Sequence, residues 1–320
     1  MSRHALADPF DQHRLHGIYP ALDELVALHR FAGRCSLAAR RVSHSPLAGE
    51  WRTHQRGRGI DFDQVRAYQA GDDIRAIDWR VTARRQAPHT KLYREERERP
   101  VLLAADLRSP MFFGSRVCYK SVQACAVATL LSWIALAGRD RVGGVVFGDD
   151  QHYDIRPQRS RHSVLALIQQ LQQFASRLTT PCPITPAAPL SQLLDKLLPT
   201  AHTGAALFIL SDFHDLDQRC EQRLFQLARH NDLTLIQVRD PLEMNLPQDR
   251  SLWVSDGQRR VNLQDLPPLL QQQQQRDDAL RQLCQRLGLP LHSIATDDSP
   301  VARVQQLYGR TRNPRTGGRA

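Results

Sequence analysis

The chain has 320 residues, 41% of them hydrophobic and 24% charged, and its 43 basic and 33 acidic side chains give a net charge of +10. This composition excludes a disordered chain and is typical of one large or two modest globular domains. The charge is uneven. Residues 101–300 carry 20 basic and 20 acidic side chains, whereas residues 1–49, 50–100 and 301–320 carry +2, +3 and +5. A neutral middle excludes a nucleic-acid-binding protein that is basic throughout.

Three features of the sequence bear on its compartment. The first 17 residues contain no apolar stretch typical of a secretory signal peptide. The uncharged run at 121–138 reaches the length of a membrane span, but it includes Ser121, Gln123 and Thr129, so we predict a buried helix of an α/β domain. The six cysteines form no CxxC pair, which favours reduced, mostly buried thiols. We therefore expect a cytoplasmic protein without a membrane anchor.

The first hundred residues contain one periodic segment. Apolar side chains at helical spacing predict a helix over residues 22–40. Residues 44–60 are rich in Gly, Pro and Arg, which predicts loops and turns. Residues 61–100 are dense in charged and aromatic side chains and contain no long apolar run.

From residue 101 onwards, short apolar runs alternate with helical patterns. Strands are predicted at 101–106, 141–149, 205–212, 232–240 and 290–296, with an antiparallel edge strand at 151–157 and a hairpin over 250–263. Helices are predicted at 118–137, 160–178, 190–198, 217–230, 266–287 and 300–309. This alternation predicts an α/β domain over residues 101–309 with a doubly wound, mostly parallel sheet. The arginine-rich tail, residues 310–320, is predicted to be disordered.

Aspartates follow three of the predicted strands: Asp106, Asp149 and Asp212. Parallel α/β sheets bind ligands at the carboxyl ends of their strands. Asp106 and Asp212 could share a divalent cation such as Mg²⁺, which prefers oxygen ligands. The hydroxyl groups available to such a site are those of Ser109, Ser115, Thr185 and Ser211. In the alternative interpretation, Asp106 caps the turn after its strand and Asp212 caps the following helix.

Sequence motifs of known catalytic chemistry are absent. The chain has no GxxxxGK[ST] phosphate loop, no GxGxxG after the first predicted strand of the sheet, no GxSxG and no HExxH. None of its 13 histidines stands in a recognisable catalytic frame with a serine or cysteine. The sequence therefore favours a protein without enzymatic activity.

A dense set of Asp, Arg, Trp and Tyr side chains fills residues 57–94, GRGIDFDQVRAYQAGDDIRAIDWRVTARRQAPHTKLYR. This order resembles the signature of the bacterial family catalogued as domain of unknown function 58 (DUF58), GxGxDFxxVRxYxxGDDxRxIDWxxTAR. The matching residues are Gly57, Gly59, Asp61, Phe62, Val65, Arg66, Tyr68, Gly71, Asp72, Asp73, Arg75, Ile77, Asp78, Trp79, Thr82, Ala83 and Arg84. The resemblance is strong over residues 45–150. It implies a von Willebrand factor A-like domain, which residues 1–100 precede as an N-terminal helix and a loop- and strand-rich extension.

Two interpretations of the signature segment stay open. Asp and Arg side chains in similar numbers can pair, and Tyr68 and Trp79 offer faces for guanidinium stacking, so the segment could be a structural lattice. The alternative is a partner-binding surface. Its candidate residues are Asp61, Arg66, Tyr68, Asp72, Asp73, Arg75, Asp78, Trp79, Arg80 and Arg84.

The resemblance also implies a metal site, from which this sequence departs. Von Willebrand factor A-like domains often hold a divalent cation between a D-x-S-x-S loop, a threonine and a further aspartate. Asp212 matches the further aspartate, but the loop after Asp106 has Arg108 and Pro110 at the serine positions, with Ser109 between them. Arg108 could occupy the place of the cation with its own charge. The implied site is thus degenerate, and Asp106, Ser109 and Asp212 are its candidate ligands for Mg²⁺.

The first functional hypothesis is a non-enzymatic, protein-binding adaptor. The resemblance implies partnership with a MoxR-type AAA+ ATPase in chaperone-like maturation or assembly of a client protein. A second hypothesis is binding of nucleic acid or another acidic surface through the basic N-terminal third and the tail, against which the neutral sheet domain argues. A third is a metal-dependent hydrolase, against which the interleaved arginines argue. Its carboxylates would be Asp61, Asp63, Asp72, Asp73 and Asp78.

Overall fold

A computed structural model describes residues 13–37, 61–69, 74–94, 99–179, 188–244, 253–255, 260–262 and 267–309. For residues 61–64 and 91–94, among others, the backbone alone is described. The predictions that concern Asp72, Asp73, Thr185, the loops at 44–60 and the tail at 310–320 lie outside these residues.

The chain divides into two units, one formed by Met1–Leu47 and Arg99–Ala320 and the other by Ala48–Glu98. This division differs from the predicted extension over residues 1–100, because the N-terminal helical segment belongs to the sheet-containing unit. Leu25 and Leu28 are fully buried in the same apolar cluster as Leu103 of the central sheet. Burial of such a leucine contributes about 1.5–3 kcal/mol, which explains why this segment packs on the sheet.

The larger unit is a mixed α/β structure built on six strands. They are β3 (Pro100–Asp106), β4 (Arg141–Phe147), β5 (His152–Gln158), β6 (Ala206–Ser211), β7 (Asp232–Arg239) and β10 (Leu291–Ala295). Their order in the sheet is β10-β7-β6-β3-β4-β5, and all neighbours are parallel except β4 and β5. The predicted strands and the antiparallel edge strand are confirmed. The chain passes from β3 to β4 on one side and returns to β6 on the other, so the order reverses between β3 and β6.

Helices flank both faces of this sheet. The larger ones are α4 (Lys120–Ala137), α5 (Arg161–Arg177), α6 (Leu190–Thr200), α7 (Gln218–His230), α9 (Pro267–Leu287) and α10 (Pro300–Tyr308). Alternate side chains of β3 enter different apolar clusters, because successive residues of a strand point to opposite faces. Leu103 packs in the cluster that contains residues of α4, α5 and α10, and Leu102 in the cluster that contains residues of α6, α7 and α9.

Helix α4 is the helix that was predicted within the uncharged run. Among the described residues, it alone is long and apolar enough to cross a membrane by length and composition, and 89% of it is buried inside the protein. Its polar residues Ser121, Gln123, Thr129 and Ser132 are buried with it. The prediction of a helix covered on most of its faces is therefore confirmed.

The N-terminal helix is shorter than predicted. Helix α1 spans Leu22–Ala27 and helix α2 spans His29–Ala32, in place of one helix over 22–40. After α2 the chain turns at Gly33, and the backbone N–H of Ser36 donates to the carbonyl of Tyr308 at 2.8 Å. The hydrogen bond between Ser36 and the end of α10 thus takes the place of a further helical turn. Local periodicity in the sequence does not reveal this long-range contact.

Two glycines allow β4 to lie close between its neighbours. A Cβ atom on Gly144 would lie 2.1 Å from the carbonyl oxygen of Leu103 in β3. One on Gly143 would lie 2.4 Å from the carbonyl oxygen of Ile155 in β5. Backbone atoms on both sides exclude any side chain at these positions.

Three further short elements belong to the larger unit. Helix α8 spans Pro241–Met244, directly after β7. Strands β8 (Trp253–Ser255) and β9 (Arg260–Asn262) pair in an antiparallel manner, which confirms the predicted hairpin.

The smaller unit contains the whole signature segment, residues 57–94. Strand β1 (Asp61–Ala67) pairs in an antiparallel manner with β2 (His89–Arg94), and helix α3 (Trp79–Arg85) lies between them in sequence. Asp78 is the N-cap of α3, and its carboxylate accepts from the backbone N–H groups of Arg80 and Val81. The sequence predicted a strand-rich extension here without these bounds.

Candidate functional site

The candidate site lies at the carboxyl ends of β3 and β6, where the strand order reverses and where open α/β sheets place their ligands. The register pairs Ala105 with Leu210, so the next residues, Asp106 and Ser211, lie at the same level. The hydroxyl of Ser211 donates to Asp106 Oδ2 at 2.6 Å. Strand register therefore brings together residues that are 105 positions apart in the chain.

The side chain of Arg108, 1% exposed, lies between two carboxylates. Its Nε and Nη2 donate to Asp106 at 2.9 and 2.7 Å. Its Nη1 and Nη2 donate to Asp215 at 2.6 and 3.0 Å. Burial alone would lower the pKa of Arg108, but these two carboxylates raise it above the ordinary value. Arg108 thus remains a cation inside the protein.

Asp106 has no capacity left for another ligand. Its Oδ1 accepts from the backbone N–H and from Nε of Arg108 at 3.1 and 2.9 Å. Its Oδ2 accepts from Arg108 Nη2 and from Ser211. A carboxylate offers about four acceptor positions, and all of them are filled. The bond from the Arg108 N–H also shows that Asp106 caps the turn after its strand, as the alternative interpretation held.

A second buried cation, Lys120, forms an ion pair with Asp212, the aspartate that follows β6. Lys120 Nζ lies 2.9 Å from Asp212 and 2.7 Å from Glu243, which follows β7. Burial alone would raise the pKa of Asp212, but Lys120 and a hydrogen bond from His214 hold it well below the ordinary value. Burial alone would lower the pKa of Lys120, but Asp212 and Glu243 raise it. Both groups are therefore charged at neutral pH.

The turn after β6 directs its polar groups to this edge. Phe213 is buried and adopts a left-handed φ of 55°, which is uncommon for a bulky residue. Asp212 and His214 flank Phe213 in the sequence, and His214 Nδ1 lies 3.0 Å from Asp212 Oδ1. Burial lowers the pKa of His214, but the hydrogen bond to Asp212 and the nearby negative charges raise it overall. Asp212 does not cap the following helix, because the N-cap of α7 is Asp217.

The hydroxyl groups of the edge are engaged by other aspartates. The backbone N–H of Ser109 donates to Asp149 at 2.9 Å, and its hydroxyl also bonds to Asp149. Ser115 bonds in the same two ways to Asp240, which also accepts from Thr296 at 2.6 Å. Burial would raise the pKa of Asp240, but these hydroxyls lower it. Each hydroxyl thus fixes one loop to another.

These residues do not fit the divalent cation that the resemblance implies. Asp106 is saturated by Arg108 and Ser211, Asp212 binds Lys120, and Ser109 turns to Asp149. Among the described residues, no group of three or more His, Cys, Asp or Glu side chains could hold a metal ion. The carboxylates of Asp106 and Asp212 are instead paired with the two buried cations, Arg108 and Lys120.

Sequence reasoning identified part of this constellation. Asp106, Arg108 and Asp212 were recognised at the strand ends. Lys120 and Asp215 were missed. One signal was available for Lys120, since it is one of only three lysines in a chain rich in arginine and stands at the start of the most apolar helix.

Exposed apolar side chains surround the edge. Tyr19 packs on Phe112 with ring centroids 5.6 Å apart, and its hydroxyl donates to the carbonyl of Leu178 at 2.8 Å. Phe113 lies 5.8 Å from Lys120 Nζ, measured to the ring centroid, and remains partly exposed. Ile18, Tyr19 and Met244 are exposed as well. The edge therefore combines a fixed charged centre with apolar side chains open to solvent.

The signature residues lie in the smaller unit. Trp79 is 67% exposed and Ile74 65% exposed. Arg75, Arg80 and Arg84 are exposed, Arg66 and Tyr68 are partly buried, and the side chain of Asp61 is outside the described residues. Asp78 has a clear structural role as a helix cap, and Arg75, Trp79, Arg80 and Arg84 are exposed to solvent.

Comparison with known proteins identifies relatives over most of the chain. An uncharacterised protein of Mycobacterium bovis and one of Mycobacterium tuberculosis are each 26% identical over 277 residues, which is 82% of this chain and 83% of the relative.

Two solved structures show a weak likeness. The conserved hypothetical protein BatB from Bacteroides thetaiotaomicron is 12% identical, with a TM-score of 0.38 over 65% of this chain and 96% of that one. The pilus adhesin SpaC from Lactobacillus rhamnosus GG is 9% identical, with a TM-score of 0.40 over 67% of this chain and 30% of that one.

A family model described as "Protein of unknown function DUF58" matches residues 64–276. This range includes much of the signature segment and both strand ends of the candidate site. The match confirms the resemblance drawn from residues 57–94. The chain therefore belongs to the DUF58 family.

Proposed function

We propose that this protein is a non-enzymatic adaptor in the cytoplasm, with a doubly wound, von Willebrand factor A-like domain. It works with a MoxR-type AAA+ ATPase in chaperone-like maturation or assembly of a client protein. The observation that carries this proposal is the exposure of Trp79 and Ile74 within the family signature. Large apolar side chains next to arginines are typical of the centres of protein interfaces.

The charged centre at the strand ends supports a role without catalysis. Nucleophilic and general-base catalysis need a side chain that is free to act on a substrate. Here Ser109, Ser115 and Ser211 each donate to a carboxylate, and Arg108 and Lys120 are held by carboxylates. Such a network fixes the loops of the edge, and fixed loops suit a binding surface.

The experiment is capture of a purified MoxR-type ATPase from the same organism by the tagged full-length chain at low and at moderate salt. We expect the ATPase to be retained by the native chain and lost with Trp79→Ala. The matched control is Trp253→Ala, since Trp253 is also exposed but lies outside the signature. No retention at low salt, or equal retention by all three proteins, would contradict the proposal.

Binding of an acidic surface such as nucleic acid is the second candidate, because α3 exposes Arg80, Arg84 and Arg85. Binding through these arginines would weaken steeply with salt, since phosphate contacts release counterions. Measurement of DNA and RNA affinity between about 50 and 200 mM salt tests this candidate. A flat salt dependence, or equal affinity for Arg80→Ala, would exclude it.

A further inference from the structure

Two cationic side chains stand where the family resemblance places a divalent metal. We infer that Arg108, together with Lys120, replaces that metal, so that the native chain takes up no divalent cation at the ends of β3 and β6. We infer equally that removal of the guanidinium opens an oxygen-lined cation site there.

The first support is the saturation of Arg108. A guanidinium has five N–H donors. Two go to Asp106, two go to Asp215, and Nη1 makes the remaining bond, 2.7 Å long, to the carbonyl of Ala188. No donor remains for a partner or a solvent ligand. The side chain therefore acts as a bound cation with a complete oxygen shell.

The second support is the position of one nitrogen. Arg108 Nη2 lies 2.7 Å from Asp106 Oδ2 and 3.0 Å from Asp215 Oδ1, so one atom bridges two carboxylates. Calcium binds oxygen ligands at about 2.3–2.6 Å, so an ion at this point needs the two oxygens to approach by only a few tenths of an ångström. Two further oxygens belong to the same network: the hydroxyl of Ser211 lies 2.6 Å from Asp106 Oδ2, and the carbonyl oxygen of Ala188 lies 2.7 Å from Arg108 Nη1.

The third support is the charge on the neighbouring strand. Lys120 is 3% exposed and neutralises Asp212, the carboxylate that the resemblance would assign to the metal. A divalent cation entering the native edge would meet two buried positive charges and no free carboxylate lone pair on Asp106. Coulomb repulsion inside a protein is stronger than in water, so entry is disfavoured.

The test compares the native chain with Arg108→Ser by Ca²⁺ titration calorimetry and by thermal unfolding with and without Ca²⁺. The native chain should give no binding heat and no change in Tm. Arg108→Ser should unfold at a lower Tm and should regain about 3 °C or more when Ca²⁺ exceeds its Kd tenfold. Mg²⁺ should act more weakly, because it demands near-octahedral geometry and dehydrates reluctantly.

Three further variants make the result specific. Arg108→Ser with Asp215→Asn should lose the Ca²⁺ response, because one bridging carboxylate is gone. Arg108→Lys keeps a positive charge and should not bind Ca²⁺. Arg303→Ser removes an arginine that bonds to the carbonyl of Ser293 in the same unit, and it should show no response.

Two results would overturn the inference. One is stoichiometric binding of Ca²⁺ or Mg²⁺ by the native chain that disappears in Asp106→Asn. The other is an Arg108→Ser protein whose folding and stability do not respond to Ca²⁺, including a protein that stays unfolded at saturating concentrations.

Discussion

The ammonium group of Lys120 lies 2.9 Å from the carboxylate of Asp212, and both side chains are buried. Lys120 is the first residue of α4, where the helix dipole disfavours a positive charge. Asp212 and Glu243 offset this effect and hold the pKa of Lys120 above its ordinary value. The ammonium group thus joins the start of α4 to Asp212 after β6 and to Glu243 after β7.

Replacement of Lys120 by methionine should lower the free energy of unfolding by about 3–5 kcal/mol, because it leaves Asp212 charged, buried and without its cation. Urea denaturation followed by circular dichroism measures the change. The matched control is Arg116→Met, which removes an exposed partner of Asp297 and should cost at most about 1 kcal/mol. Equal losses of stability in the two variants would show that the buried Lys120 pair contributes no more than the exposed Arg116 pair.

Replacement of Gly144 by alanine should destabilise the sheet by about 1–3 kcal/mol or more, because its Cβ would overlap the carbonyl of Leu103. Gly33→Ala is the control, since Gly33 has a φ of −64° and no atom within 4 Å of the added Cβ. That variant should change stability by about 0.5 kcal/mol or less. A Gly144→Ala protein as stable as Gly33→Ala would contradict the close approach of β3 and β4.

Asp217→Ala should cost about 0.5–2 kcal/mol at pH 7, because Asp217 is the N-cap of α7 and accepts from the N–H of Cys220. That hydrogen bond lowers the pKa of Asp217. A carboxyl whose folded pKa lies below its unfolded value of about 3.9 stabilises the fold above that value. The contribution disappears as the pH falls through the folded pKa, so the difference between native and variant should shrink in acid.

The control for this pH dependence is Ser160→Ala. Ser160 caps α5 through its hydroxyl, which accepts from the N–H of His162 and carries no charge. Its cost should be similar and should not change with pH. Urea unfolding of the native chain and both variants, between pH 7 and about pH 3, gives the three curves. Parallel behaviour of Asp217→Ala and Ser160→Ala would exclude the electrostatic contribution.

Trp79→Ala should leave the free energy of unfolding within about 0.5 kcal/mol of the native value, because the side chain is exposed. If Trp79 anchors a partner, the same change should weaken partner binding by about 2 kcal/mol or more, which is roughly thirtyfold in Kd. Thermal unfolding and calorimetric titration with the ATPase separate the two effects. A large loss of stability would show instead that Trp79 belongs to a structural lattice.

Much of the larger unit follows from local pattern. Apolar runs ending in Asp106 and Asp212 predicted parallel strands, and the amphipathic segment at 160–178 predicted α5, because burial on a sheet imposes these periods. The N-terminal helix was overestimated, since Ser36 pairs with Tyr308 across the whole sequence. Long-range pairing of this kind leaves no local signal.

In the candidate site, too, some features follow from the local sequence and others depend on long-range contacts. The resemblance to a family metal site, together with Arg108 at one of its serine positions, predicts a cationic side chain beside Asp106. Asp215 and Lys120 could not be assigned, because their meeting with Arg108 and Asp212 depends on the turn at Phe213 and on the packing of α4. Charged side chains in a sequence show what can pair, and the fold decides which pairs form.

The antiparallel strand β5 gives the central sheet two unequal borders. At the border formed by β5, the side chains of Asp154 and Arg156 are exposed, and Pro157 has no backbone N–H that could donate to another strand. A strand from another molecule would meet charge and a missing donor there, which are the features that keep edge strands from pairing. Growth of the sheet by added strands is therefore discouraged on the β5 side, the side opposite the edge strand Leu291–Ala295.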